Sequence, residues 1–111
     1  MLFCITANYT PQAINALMDN PETSRLSAVQ QLLEAAGGRV VSLYSTAAEG
    51  PGALLIFDLP DPAVAPAIGG VIAASGSVQN LRLMRLMSPD EVVAVRKKAA
   101  QLRSAYRPAG K

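Results

Sequence analysis

The chain has no histidine and no tryptophan, one cysteine, and five aromatic residues in 111. Without histidine there is no side chain that ordinarily titrates near neutrality, no Ser-His-Asp relay and no imidazole metal ligand. A lone Cys4 excludes an intrachain disulfide and cannot build a zinc or iron–sulfur site within one subunit. In an apolar strand it reads as a small packed residue. Neither a metal nor a cofactor is expected. No uncharged apolar stretch reaches the ~18 residues a membrane span needs. The longest candidate, Pro62 to Val78, is rich in Ala and Gly. Met1 to Ala7 is apolar but short and has no basic segment before it, so no secretory signal is expected and the cytoplasm is the expected location.

What is present points to a folded domain. Half of the residues are apolar and 16% are charged, which argues against disorder and for one domain. With Phe3, Phe57, Tyr9, Tyr44 and Tyr106 as the whole aromatic set, small aliphatic residues must fill the core. The low charge fraction predicts that some apolar surface is covered by self-association into a dimer or higher oligomer. Residues 1–80 hold two Arg against six Asp or Glu, a net of −4. Residues 81–111 hold eight Lys or Arg against two acids, a net of +6. The basic end reads as a solvated helix face and tail.

Hydrophobic spacing supplies the element order. Met1 to Asn8 alternates as a strand, with Phe3, Ile5 and Ala7 on one side and Leu2, Cys4, Thr6 and Asn8 on the other. Thr10-Pro11 starts a short helix to Met18, and Asn20-Pro21 starts a longer one to Ala36, with Leu26, Val29, Leu33 and Ala36 as its buried stripe. Gly37-Gly38 ends it. Strands follow at Arg39 to Ser45 and Ala53 to Leu59, then a helix from Asp61-Pro62 to before Gly76, then a strand from Val78 to Met87. Ser88-Pro89-Asp90-Glu91 is a capping box opening a last helix, expected to bury Val92, Val95, Ala99, Leu102 and Tyr106. The order β-α-β-β-α-β plus a helix predicts an α+β, ferredoxin-like fold, with the sheet domain at 1–87 and a C-terminal helix and basic tail at 88–111 packed on it. The third strand is apolar at almost every position, which predicts cover on both faces. Either a second subunit or the last helix is expected to cover the face that the other helices leave open.

These segments resemble the GYD-domain family, small bacterial and archaeal proteins with a ferredoxin-like, dimeric α/β-barrel type fold. The likeness is carried by Ala7-Asn8-Tyr9-Thr10 at the first strand end, Arg25 and Ala28 in the helix, GGRVVSLY at Gly37 to Tyr44, FDLPD at Phe57 to Asp61, and GSVQNLRLMRLM at Gly76 to Met87. Where the family's name tripeptide stands, this chain has Gly50-Pro51-Gly52. The resemblance implies a fold and a dimeric assembly more than a reaction.

Candidate chemistry is sparse. Gly50-Pro51-Gly52 is a poor phosphate loop, because Pro51 removes a donor and a strand follows instead of a helix; it reads as a turn. Asn8, Tyr9, Thr10 and Arg25, with Thr6, form the best polar cluster, suited to a small organic anion clamped by Arg25. Asp58 is the candidate proton-transfer group if buried, with Glu49 in the loop, or with Tyr44 and Asn80 across the sheet; pairing with Arg39 or Arg82 is the structural alternative. RNA recognition is not expected, since the central strands lack the aromatic stacking pattern of RNA-binding modules. Three functions stay open: a small homo-oligomeric ligand-binding protein, a cofactor-independent enzyme of oxygenase or isomerase type, or a protein-interaction module.

Overall fold

A computed structural model describes residues 1–111. In chain order it has β1 (Leu2–Tyr9), α1 (Pro11–Asp19), α2 (Arg25–Ala35), β2 (Arg39–Thr46), β3 (Gly52–Asp58), α3 (Ala65–Ala74), β4 (Val78–Leu86) and α4 (Pro89–Leu102). The strands form one sheet in the order β2-β3-β1-β4, and every neighbouring pair is antiparallel. This is the ferredoxin-like topology expected from the element order.

The register explains the core. Phe3 sits opposite Phe57 and Ile5 opposite Leu55. Their side chains share one sheet face with Val40, Leu43, Leu81 and Leu83, and α2 and α3 close over it with Leu33, Ala65 and Ile68. The Phe3 and Phe57 rings stack with centroids 5.7 Å apart. Small residues let α3 approach closely: Gly69 is buried, and a methyl there would sit 3.7 Å from a Leu81 methyl.

Three local expectations are corrected. The helix placed at Pro21 begins at Arg25, because Ser24 takes the cap and its hydroxyl accepts the Ser27 N–H at 3.0 Å. Leu26, in the first turn of this helix, is exposed and is not part of the buried stripe. The last helix starts where expected, with both halves of the capping box formed and Arg85 paired to Glu91 at 2.6 Å. Its contact with the sheet domain is confined to its first turn, where Val92 is half-buried: no α4 residue is fully buried, and Val95, Leu102 and Tyr106 are exposed within the single chain. Its apolar spacing signals a contact face, and within the same chain Val95 and Leu102 of that face stay exposed.

The other sheet face is open, so β3 is covered on one side only within the chain. Its cross-strand rows run from apolar to polar. Ser42, Ile56, Cys4 and Met84 form one row, Tyr44, Leu54, Thr6 and Arg82 the next, and Thr46, Gly52, Asn8 and Gln79 the last. Cys4 is buried in the apolar row, and burial pushes its thiol pKa up, which keeps it protonated and inert.

The Gly50-Pro51-Gly52 turn is structural at each position. Gly50 has φ +101°, a conformation that disfavours a side chain. Pro51 accepts the Tyr9 N–H on its carbonyl at 2.9 Å. Gly52 lies so close to β1 that a methyl group would strike the Ala7 carbonyl oxygen and stand 2.8 Å from the Thr46 hydroxyl.

Candidate functional site

The side chains that β1 and β3 send toward the helices shrink along the sheet. Phe3 with Phe57 and Ile5 with Leu55 fill the core; Ala7 with Ala53 comes next and leaves space under α2. A cavity of about 70 Å³ forms there, walled by Val29, Leu43 and Ile72 and bordered by Tyr9 and Arg25. Tyr9 and Arg25 also border an adjoining outer cleft of about 190 Å³, with Ala13, Leu17, Thr23 and Ser77 on its walls. An apolar interior with a phenol and a guanidinium at its mouth matches the usual build of a small-molecule site.

Local structure places both polar groups. Tyr9 ends β1, and its backbone is pinned by the Pro51 carbonyl on one side and paired with Val78 on the other. Arg25 is the first residue of α2, so the Ser24 cap sets its position. Arg25 is half-buried and makes no ion pair; the three ion pairs of the chain are elsewhere, and Glu22 does not engage it. A guanidinium without a carboxylate partner keeps its donors free for other acceptors.

The polar cluster expected around Arg25 is therefore divided. Tyr9 and Arg25 line the same pocket. Thr10 instead caps α1: its hydroxyl accepts the Ala13 N–H at 3.2 Å and donates to the Gly76 carbonyl at 2.8 Å. Asn8 points to the opposite sheet face, as strand alternation requires, and its amide donates to the Glu49 carbonyl at 3.4 Å. There it shares a cleft of about 570 Å³ with Thr6, Thr46, Glu49, Asn80 and Arg82.

The sheet does not assemble a site from Asp58 and Tyr44. Asp58 is at one end of β3, while Tyr44 pairs with Leu54 four residues away, about 13 Å along the strand. Asn80 is farther still, at the polar end. Asp58 is solvent-accessible and paired: one oxygen accepts from the Met1 ammonium at 2.8 Å and the other from Arg39 at 3.4 Å. The hydrogen bond from that ammonium, then the nearby positive charges, hold its pKa below the ordinary value. A low pKa suits an ion pair and not a general base near neutrality. Tyr44 is 62% exposed. No three Cys, Asp or Glu side chains gather in metal-binding geometry, and no helix is long and apolar enough to cross a membrane.

The sequence reading did not single out the cavity floor. The signal for it was the taper on the inward side, Phe3-Ile5-Ala7 against Phe57-Leu55-Ala53, which becomes legible only once the pairing of these strands is known.

Comparison with known proteins agrees with the topology. Among solved structures, the fold is similar to the 5-chloro-2-hydroxyhydroquinone dehydrochlorinase of Burkholderia phenoliruptrix AC1100, in complex with 2,5-dihydroxybenzoquinone, at TM-score 0.54 and 16% identity. That match covers 81% of this chain and 97% of the other. No curated protein sequence matches. The family model described as the GYD domain matches residues 3–95, which takes in all of the sheet except Leu2, α1 to α3 and the first half of α4. The chain belongs to the GYD-domain family.

Proposed function

We propose that the protein is a homo-oligomeric small-ligand-binding protein whose site is the Tyr9–Arg25 pocket. The carrying observation is Arg25, half-buried and without an ion pair, beside Tyr9 at the mouth of an apolar cavity. The pocket calls for a single-ring organic anion: the ring enters the apolar interior, the anionic group meets the guanidinium, and the Tyr9 hydroxyl offers a further hydrogen bond. Volumes of about 70 and 190 Å³ suit a ligand of that size. The dehydrochlorinase with this fold was captured with a single-ring quinone, a ligand of comparable dimensions. A second copy is the partner we propose for the open sheet face, where Met84 is exposed and Ile56 and Leu86 are half-buried within the chain.

Isothermal titration with benzoate and benzamide tests the ligand reading. Benzoate is expected to bind and benzamide to bind at least about tenfold more weakly, the scale of one charge-assisted contact. Arg25→Gln is expected to remove the difference between the two. Ala53→Leu fills the cavity and is expected to abolish binding while the protein still folds. Equal affinity of wild type and Arg25→Gln for benzoate, or no binding by wild type, overturns the assignment.

A further inference from the structure

The polar end of the open sheet face carries three features that neither the core nor the Tyr9–Arg25 pocket uses. The first is charge. Glu49 and Arg82 line the same cleft of about 570 Å³, yet they pair neither with each other nor with any other charged side chain. The second is backbone conformation. The only non-glycine residues with positive φ are Glu49 at +59° and Asn80 at +55°, and both line this cleft. Such conformations are held against a steric cost and concentrate at ligand sites. The third is a bulge. One residue, Ala7, separates Thr6 from Asn8 on β1, while Asn80 and Leu81 together separate Gln79 from Arg82 on the paired stretch of β4. A bulge re-aims side chains and widens the local surface. Gly52, between Thr46 and Asn8, adds no side chain, so the floor stays open.

We propose that this cleft is a second binding site, for a small zwitterion of the free amino-acid class. Arg82 receives the carboxylate, Glu49 receives the ammonium, and the Thr6 and Thr46 hydroxyls with the Asn80 amide supply neutral hydrogen bonds. A ligand carrying only one charge satisfies one wall and leaves the opposite charge without a partner. The site is separate from the Tyr9–Arg25 pocket, because it lies across the sheet from it. It also differs chemically from the apolar rows beside it, which a second copy would cover.

The test is an NMR titration of the intact protein with serine, N-acetylserine and serinamide. Serine is expected to shift the amides of Thr6, Thr46, Asn80 and Arg82. The acetylated and amidated forms, each lacking one charge, are expected to bind about tenfold or more weakly. Arg82→Gln and Glu49→Gln are each expected to weaken serine binding on the same scale, and Arg25→Gln to leave it unchanged. Asn80→Gly keeps the positive-φ backbone while removing the amide, so it reads the contact without unfolding the bulge. Three results overturn the proposal: no serine binding at millimolar concentration, equal binding of all three compounds, or Arg82 and Glu49 variants that alter the oligomeric mass but not serine affinity. The last would make the charge pair a subunit contact.

Discussion

Gly52→Ala and Gly70→Ala make the same chemical change and are expected to move stability in opposite directions. At Gly52 the added methyl meets the Ala7 carbonyl oxygen and lies 2.8 Å from the Thr46 hydroxyl. Thr46 can rotate away, but Ala7 is backbone in a strand paired on both sides, so relief requires moving β3 away from β1. Overpacking of this kind costs about 1–3 kcal/mol. At roughly 4 °C per kcal/mol for a domain of this size, the melting temperature falls by about 4–12 °C. Gly70 lies inside α3 with nothing within 4 Å of the added methyl and no positive φ. Alanine there removes unfolded-state freedom and favours the helix by about 0.5–1 kcal/mol, raising the midpoint by roughly 2–4 °C. Thermal melts followed by circular dichroism at one protein concentration read both. A Gly52→Ala variant as stable as wild type would refute the close β1–β3 approach, and with it the structural reading of the Gly-Pro-Gly turn.

Three further outcomes follow from the packing and the charges. Phe57→Ala removes a fully buried ring stacked on Phe3 and is expected to cost about 3–5 kcal/mol in denaturant unfolding. Ser88→Ala breaks the capping box and is expected to cost about 1 kcal/mol; because α4 has no buried residue, hydrogen exchange should rise in α4 while the sheet amides keep their protection. Asp58 has a lowered folded pKa, so its contribution is present above the unfolded carboxylate value and is lost as pH falls through the folded one. Asp58→Asn should therefore lose stability at neutral pH and show a shallower decline in acid than wild type.

Much of the fold was legible because local signals agreed with each other. Ser88 to Glu91 marks a helix start without tertiary information, and the formed capping box reflects that. The alternation of Leu2 to Asn8 assigns each residue to a sheet face, and the register keeps those assignments. Legibility declined at the start of α2. Asn20-Pro21 reads as the helix start, whereas the structure caps the helix four residues later at Ser24. It declined again where spacing reports a contact without naming its partner. The apolar positions of α4 imply a face to be covered, yet within the chain Val95 and Leu102 stay exposed.

The site was half legible for the same reason. Residue type grouped Thr6, Asn8, Tyr9, Thr10 and Arg25 as one polar cluster, and of these the fold brings Tyr9 and Arg25 to one pocket. Sequence adjacency also drew in Asn8 and Thr10. Strand alternation sends Asn8 to the far face, and helix capping occupies the Thr10 hydroxyl. Asp58 looked catalytic only if buried and unpaired; its ion pairs with Met1 and Arg39 depend on long-range pairing that the sequence does not display.

The measurement that bears most directly on the central claim is an amide chemical-shift map of the wild-type protein titrated with benzoate. Saturable shifts centred on Tyr9, Arg25, Val29, Ile72 and Val78, absent in the cavity-filling Ala53→Leu variant, are the expected result. Shifts confined to the open sheet face, or no saturable shift at the helix–sheet pocket, would contradict it.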